Sequence, residues 1–181
     1  DVIVVGGGPA GSCAALVAAR AGLSVVLIER GPFPGSKNMY GGVVYPRILD
    51  RLLPEWWLEA PIQRWVTRRS TMLLTDTQAL TIDFRNEGWG RPPYNGATAY
   101  RPDFDHWLAG HAEAAGAQLI TSTTVTGLLR DAAGTVVGVR TDRPDGDLRA
   151  RVVIACDGVN SFLAKEAGLY THTDAKHFTL G

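Results

Sequence analysis

The sequence is poor in sulfur, with two cysteines and two methionines in 181 residues, and it has no excess charge, since 18 basic residues balance 18 acidic ones. Cys13 and Cys156 cannot ligate an iron–sulfur cluster alone, and they stand at neither a zinc nor a C-x-x-C redox spacing. They read as buried, reduced thiols. His106, His111, His172 and His177 fall into no metal-ligand spacing, so no metal is expected. Balanced charge produces no global field toward nucleic acid or anionic lipid, and no nucleic-acid partner is expected. The longest uncharged stretch, Val2 to Ala19, contains a glycine triplet and a proline whose exposed backbone groups lipid could not satisfy, so it reads as a strand and helix in water. The chain starts directly on that strand, and a signal peptide is not expected.

What is present begins with Asp1-Val-Ile-Val-Val-Gly-Gly-Gly-Pro-Ala-Gly11. Val2 to Val5 is an unbroken apolar run, as in a strand buried on both faces of a parallel sheet. Gly6, Gly8 and Gly11 supply G-x-G-x-x-G at the strand-to-helix turn, for a tight turn, close backbone approach to a pyrophosphate, and close packing of helix on strand. A helix is expected from about Pro9 to Ala21, with proline near its first position and Gly22 at its stop. Its N-terminus favours a diphosphate bridge. Leu23 to Ile28 reads as the next buried strand, and Glu29 at its end is placed to accept hydrogen bonds from the hydroxyls of an adenosine ribose. Together these features point to dinucleotide binding.

Gly31 to Gly42 is a long glycine- and proline-rich loop, in which Lys37 and Asn38 either face the ligand crevice or decorate a solvated turn. Pro46 to Leu58 reads as a helix or helical turns, and Trp56, Trp57 and Trp65 as an aromatic packing cluster. Val66 to Leu74 and Leu80 to Phe84 suggest an antiparallel hairpin of a substrate-side sheet. A helix is expected from Pro102 to Gly116, with Asp103 and Asp105 in its first turn and Phe104, Trp107, Leu108, Ala112 and Ala115 on one face. Arg101 precedes it in an extended conformation, reaching an anionic cofactor or facing water. Ala117 to Ser122 reads as a third parallel strand. A short antiparallel meander follows over Thr124 to Arg130, Thr135 to Thr141 and Asp147 to Arg151, and Val152 to Cys156 returns to the sheet. Asp157 ends that strand as a crevice residue or as a cap for the next helix.

Six stretches carry a family resemblance: Asp1 to Gly11, Ile28-Glu-Arg-Gly31, Pro34-Gly-Ser-Lys-Asn-Met-Tyr-Gly-Gly42, Tyr100-Arg-Pro-Asp-Phe-Asp-His-Trp-Leu108, Asp157-Gly-Val-Asn-Ser161 and Lys176-His-Phe-Thr-Leu-Gly181. Through them the sequence resembles the flavoproteins of the geranylgeranyl-reductase superfamily, and within it most closely the FixC-type electron-transfer flavoprotein–quinone oxidoreductases. The resemblance implies an α/β fold: a Rossmann-like FAD-binding domain over residues 1–65 and 99–170, with part of a β-rich substrate domain over 66–98 and 171–181. It implies FAD, with Gly6, Gly8, Pro9, Ala10 and Gly11 at the pyrophosphate and Glu29 and Arg30 at the adenosine end. Lys37, Asn38, Gly41 and Gly42 would lie near the flavin, Arg101 would reach back toward the cofactor, and Thr124 and Val125 would present backbone groups to the adenine. Asp157 belongs to a motif whose role varies within the family.

The activity implied is electron transfer from an electron-transfer flavoprotein to a quinone, with the flavin carrying the chemistry and no catalytic side chain. A ferredoxin-like subunit, a cytoplasmic location and peripheral contact with the inner face of a membrane go with it. Prenyl double-bond reduction and flavin hydroxylation are alternatives on the same fold. A non-enzymatic alternative is a prenyl-protein-binding module of the GDP-dissociation-inhibitor type. The family's second glycine–aspartate motif, which meets the ribityl chain, is not found before Gly181, and the sequence is expected to be the amino-terminal portion of a longer chain.

Overall fold

The structure is a computed structural model that describes residues 1–38 and 41–170. Met39, Tyr40, His172, His177 and the Lys176 to Gly181 motif lie outside the described residues, as does the 171–181 part of the expected substrate domain. In chain order the elements are β1 (Val2–Val5), α1 (Pro9–Arg20), β2 (Val25–Ile28), β3 (Gly41–Val44), α2 (Leu49–Leu52), β4 (Ile62–Trp65), β5 (Arg68–Leu74), β6 (Ala79–Arg85) and β7 (Ala97–Tyr100). Then come α3 (Arg101–Ala114), β8 (Gln118–Ile120), β9 (Val125–Arg130), β10 (Val136–Thr141), β11 (Leu148–Arg149), β12 (Val152–Ala155) and α4 (Phe162–Glu166). They form two compact units, one of Asp1–Pro34 with the described residues from Leu108 on, the other of Gly35–Trp107.

The first unit is built on a four-stranded parallel sheet in the order β12-β1-β2-β8. β1 lies inside it, with Val2 opposite both Val25 and Val152, and every residue of the strand is buried. That is why its sequence is continuously apolar rather than alternating. α1 joins β1 to β2 and lays Ser12, Ala15 and Leu16 inward. It stops at Ala21, and Gly22 follows at φ +78°, a left-handed turn that glycine adopts without strain. Leu23 and Ser24 link this turn to the strand, so β2 starts two residues later than the apolar run suggests.

A second, antiparallel sheet of the same unit runs β11-β10-β9. Leu128 and Val139 from it join Ile3, Val5, Ile28 and Leu163 in one buried cluster. The meander therefore covers a face of the parallel sheet and fixes α4 through Leu163.

In the second unit β3, β7 and β4 form an antiparallel sheet with β7 in the middle. Gly41 and Gly42, expected as the end of a loop, are the first two residues of β3. A side chain at Gly41 would place its Cβ 2.9 Å from the Tyr100 ring. The tryptophans pack within this unit: Trp56 is 3% exposed and edge-on to Trp57 and Trp65, and its indole N–H donates to Asp50 at 2.8 Å. Trp65 stacks on Tyr94 with ring centroids 3.5 Å apart. β5 and β6 pair as the expected hairpin from Arg68↔Arg85 to Leu74↔Ala79, with both strands exposed along their length.

Candidate functional site

The glycine turn sits where β1 passes into α1. Gly6 has φ +105°, and a Cβ there would lie 2.2 Å from the Cys156 carbonyl oxygen; a Cβ on Gly11 would lie 1.8 Å from the Gly6 oxygen. Both positions therefore exclude side chains because backbone already fills the space. Gly8 is the N-cap of α1 in extended conformation, Pro9 and Ala10 follow in the first turn, no side chain caps the helix, and its first turn holds no acidic residue. The first-turn N–H groups are left to an external anion, whose charge the helix dipole favours.

Glu29, at the end of β2, is buried and already engaged. One carboxylate oxygen accepts the Gly7 N–H at 2.9 Å and the other accepts the Gly31 N–H at 2.7 Å. The sequence suggests ribose binding alone, whereas the structure gives this acid a second task of fixing the glycine turn. Each carboxylate oxygen has a further lone pair, so ribose hydroxyls remain compatible with these bonds. Gly7 is the partner that spacing does not reveal. A Cβ on it would lie 3.1 Å from Glu29 Oε2 and 3.2 Å from Pro34 Cγ.

Around Glu29 the backbone is laced to the strand beyond. Its N–H donates to Ile120 O at 2.8 Å, the Thr123 N–H donates back to Glu29 O at 3.1 Å, and the Ser122 N–H donates to Gly31 O at 2.7 Å. Arg143 donates to Ser122 O and, at 3.3 Å, to Thr123 Oγ1. Arg30 is exposed. Thr124 is paired with Asp142 on both backbone groups, its N–H donating to Asp142 Oδ1 and its carbonyl accepting the Asp142 N–H, each at 2.9 Å. The Thr124 N–H is the leading cause that holds the Asp142 carboxyl below the usual range. Val125 begins β9, an outer strand of its sheet, opposite Thr141.

Asp157 accepts the Leu163 N–H at 2.8 Å, so this acid caps α4, as the turn-residue alternative requires. Beside it Cys156 follows the end of β12. Burial, followed by the Asp157 charge, pushes the Cys156 thiol up, and burial followed by Cys156 does the same to Cys13. Among the described residues no group of three or more His, Cys, Asp or Glu could hold a metal ion, and no helix is long and apolar enough to cross a membrane.

In the second unit Arg101 is the first residue of α3 rather than an extended residue before it. Its guanidinium meets Asp105 as a fork, Nε to Oδ1 and Nη2 to Oδ2, both at 2.8 Å. Asp105 Oδ2 also accepts the Asn38 side-chain N–H at 3.2 Å. Lys37, next to Asn38, is exposed. A Cβ on Gly35 would lie 2.8 Å from the Arg101 carbonyl oxygen and 3.0 Å from Asp105 Cβ, so the start of this loop lies directly on the first turn of α3. The Ser36 hydroxyl oxygen is buried and has no hydrogen-bond partner among the described residues. Two of the expected site residues, Asn38 and Arg101, are thus brought together by a third that spacing does not single out, Asp105.

The open end of α1 and the side-chain-free glycine turn fit a large polar cofactor with a phosphate bridge. The family described as FAD binding domain matches residues 1–181. Protein FixC of Bradyrhizobium diazoefficiens is 41% identical over 93% of this chain and 39% of its own length. The probable electron transfer flavoprotein-quinone oxidoreductase YdiS of Escherichia coli (strain K12) is 44% identical over 100% of this chain and 42% of its own. A geranylgeranyl bacteriochlorophyll reductase-like protein of Thermoplasma acidophilum superposes with a TM-score of 0.78 at 31% identity, over 97% of this chain and 43% of that one. The chain thus spans about two fifths of the length of the proteins it matches. Since the family match runs from the first strand to the last residue, the chain belongs to the FAD-binding-domain family, and its cofactor is FAD.

Proposed function

We propose that the protein is an FAD-dependent oxidoreductase that takes electrons from an electron-transfer flavoprotein and passes them to a quinone. The observation that carries the choice of reaction is the likeness to YdiS, 44% identical along the whole chain, against 31% for the reductase-like protein of Thermoplasma acidophilum. FAD, when bound, supplies reversible acceptance of one or two electrons. The residues of the chain supply position and electrostatics.

Gly6, Gly8, Pro9, Ala10 and Gly11 receive the pyrophosphate in this reading. The uncapped first turn of α1 neutralises part of its charge, and the turn admits the phosphates because backbone rather than side chains lines it. Glu29 holds the adenosine ribose with the lone pairs its two backbone bonds leave, and Arg30 lies at the same end. For the adenine, Val125 on the outer strand β9 is the better donor of backbone contacts. Thr124 already spends its N–H and carbonyl on Asp142. Lys37, Asn38, Gly41, Gly42 and Arg101 are assigned to the flavin side, where the two cations would favour negative charge on a reduced ring. Asp157 acts at one remove, by capping α4.

The test is anaerobic reduction of the FAD-loaded protein by reduced electron-transfer flavoprotein, followed by reoxidation with a soluble ubiquinone analogue. Both half-reactions are expected to be fast. A flavin that neither partner reduces nor reoxidises, but that reduces a geranylgeranyl double bond, would replace this reading with prenyl reduction.

A further inference from the structure

Asp105 carries a full charge into a fully buried position, which is costly unless every oxygen is satisfied. Here it is satisfied three times, by two N–H groups of Arg101 and one of Asn38. The geometry of the Arg101 bond is the fork that fixes a guanidinium in a plane, so the carboxylate sets its orientation as well as its place. The Asp105 hydrogen bond, opposed by burial, raises the Arg101 pKa further above its usual range. The fork uses Nε and Nη2, leaving the Nη1 amino group on a side chain that is 27% exposed. Asn38 gives one amide hydrogen to Asp105 and keeps its carbonyl oxygen and second hydrogen. The third partner comes from a loop 67 residues away, and the same loop holds a buried Ser36 hydroxyl with nothing to bond among the described residues.

We infer that Asp105 is a positioning residue for the flavin side of the cofactor site: its carboxylate aims Arg101 and ties Asn38 to α3, so that both present their remaining polar groups to FAD. The inference rests on the assignment of Arg101 and Asn38 to the cofactor given above. Asp105 touches no cofactor atom itself. Without it Arg101 swings toward water and the Gly35–Asn38 loop loses its anchor.

The test measures FAD and ADP dissociation constants by calorimetry for the FAD-free full-length protein, and the visible flavin spectrum after loading, in Asp105→Asn, Arg101→Ala and the double variant. Asp105→Asn is expected to weaken FAD on the order of tenfold, leave ADP unchanged and shift the bound-flavin spectrum toward that of free flavin. In the Arg101→Ala background the same change is expected to have much less effect on FAD, because its main target is gone. An equal loss in both backgrounds, or a parallel loss of ADP, makes Asp105 a structural residue only and overturns the inference. Unchanged FAD affinity in Arg101→Ala also overturns it, and in that case it is the assignment of Arg101 to the cofactor that has failed. If Asp105→Asn does not fold, Arg101→Lys keeps a cation beside the buried carboxylate and loses only the fork. Selective loss of FAD in that variant supports the inference, and wild-type FAD affinity overturns it.

Discussion

Glu29 accepts the N–H of Gly7 at 2.9 Å across 22 residues of sequence, so the acid at the end of β2 holds the turn that follows β1. Glu29→Gln keeps one acceptor oxygen but turns an NH2 group toward a backbone N–H, donor against donor. The expected cost is about 1 to 3 kcal/mol of stability. Flavin titration is expected to show FAD weakened more than FMN, which lacks the adenosine. Urea unfolding checks the first effect. An unchanged midpoint would remove Glu29 from the turn, and equal weakening of FAD and FMN would remove it from the adenosine end.

Two glycines on helices are expected to respond in opposite directions. Gly11→Ala would bring a Cβ to 1.8 Å from the Gly6 oxygen, and backbone cannot yield as a side chain does, so the loss is expected to reach at least about 3 kcal/mol. At Gly110, an exposed position inside α3, nothing lies within 4 Å of an added methyl carbon, and Gly110→Ala is expected to stabilise by about 0.5 to 1 kcal/mol through a less flexible unfolded chain. Thermal unfolding of the two variants decides both signs.

The thiols of Cys13 and Cys156 sit above the ordinary range, chiefly through burial. In the unfolded chain they ionise near the usual value of about 8.5, while in the folded protein they stay protonated to higher pH. The stability they contribute is therefore complete below about pH 8.5 and is lost as pH rises from there through the raised folded values. Replacing both with serine is expected to flatten the fall in unfolding free energy above about pH 8.5. The same burial predicts slow alkylation at neutral pH in the native state and fast alkylation in urea.

The first strand, helix and strand are legible because their signals are local: four apolar residues in a row, a proline at the helix start, a glycine at its stop. Asp105 is not, because a helix read as starting at Pro102 puts Asp103 and Asp105 in the same first turn and spacing treats them alike, whereas with the helix starting at Arg101 only Asp103 is in that turn. Which of them is buried depends on the loop at Asn38, far away in sequence. The one available signal is Arg101 and Asp105 at i and i+4, the spacing of a helix ion pair. Glu29 is legible as an acid at a strand end, but its bonds to Gly7 and Gly31 depend on how the turn closes. The hairpin of β5 and β6 can be read from its strand-like residues, yet Met72, Leu74, Leu80, Ile82 and Phe84 are all more than half exposed, which strand pattern alone does not tell.

The division of labour within the chain gives a last expectation. The groups that suit an adenosine diphosphate, the α1 end and Glu29, are tightly built: the turn is closed by backbone contacts and by the Glu29 carboxylate. Those assigned to the flavin are fewer, and the chain spans only 39% and 42% of the lengths of FixC and YdiS. A protein of residues 1–181 alone is therefore expected to bind ADP and FAD with comparable strength and to reduce no quinone, its flavin ring left open to water and oxygen. Calorimetric titration with the two ligands tests this directly. Tight FAD binding with a clear preference over ADP would mean that the Lys37 to Gly42 segment and Arg101 hold the flavin by themselves, and the quinone assay on the same preparation would then show whether they also suffice for turnover.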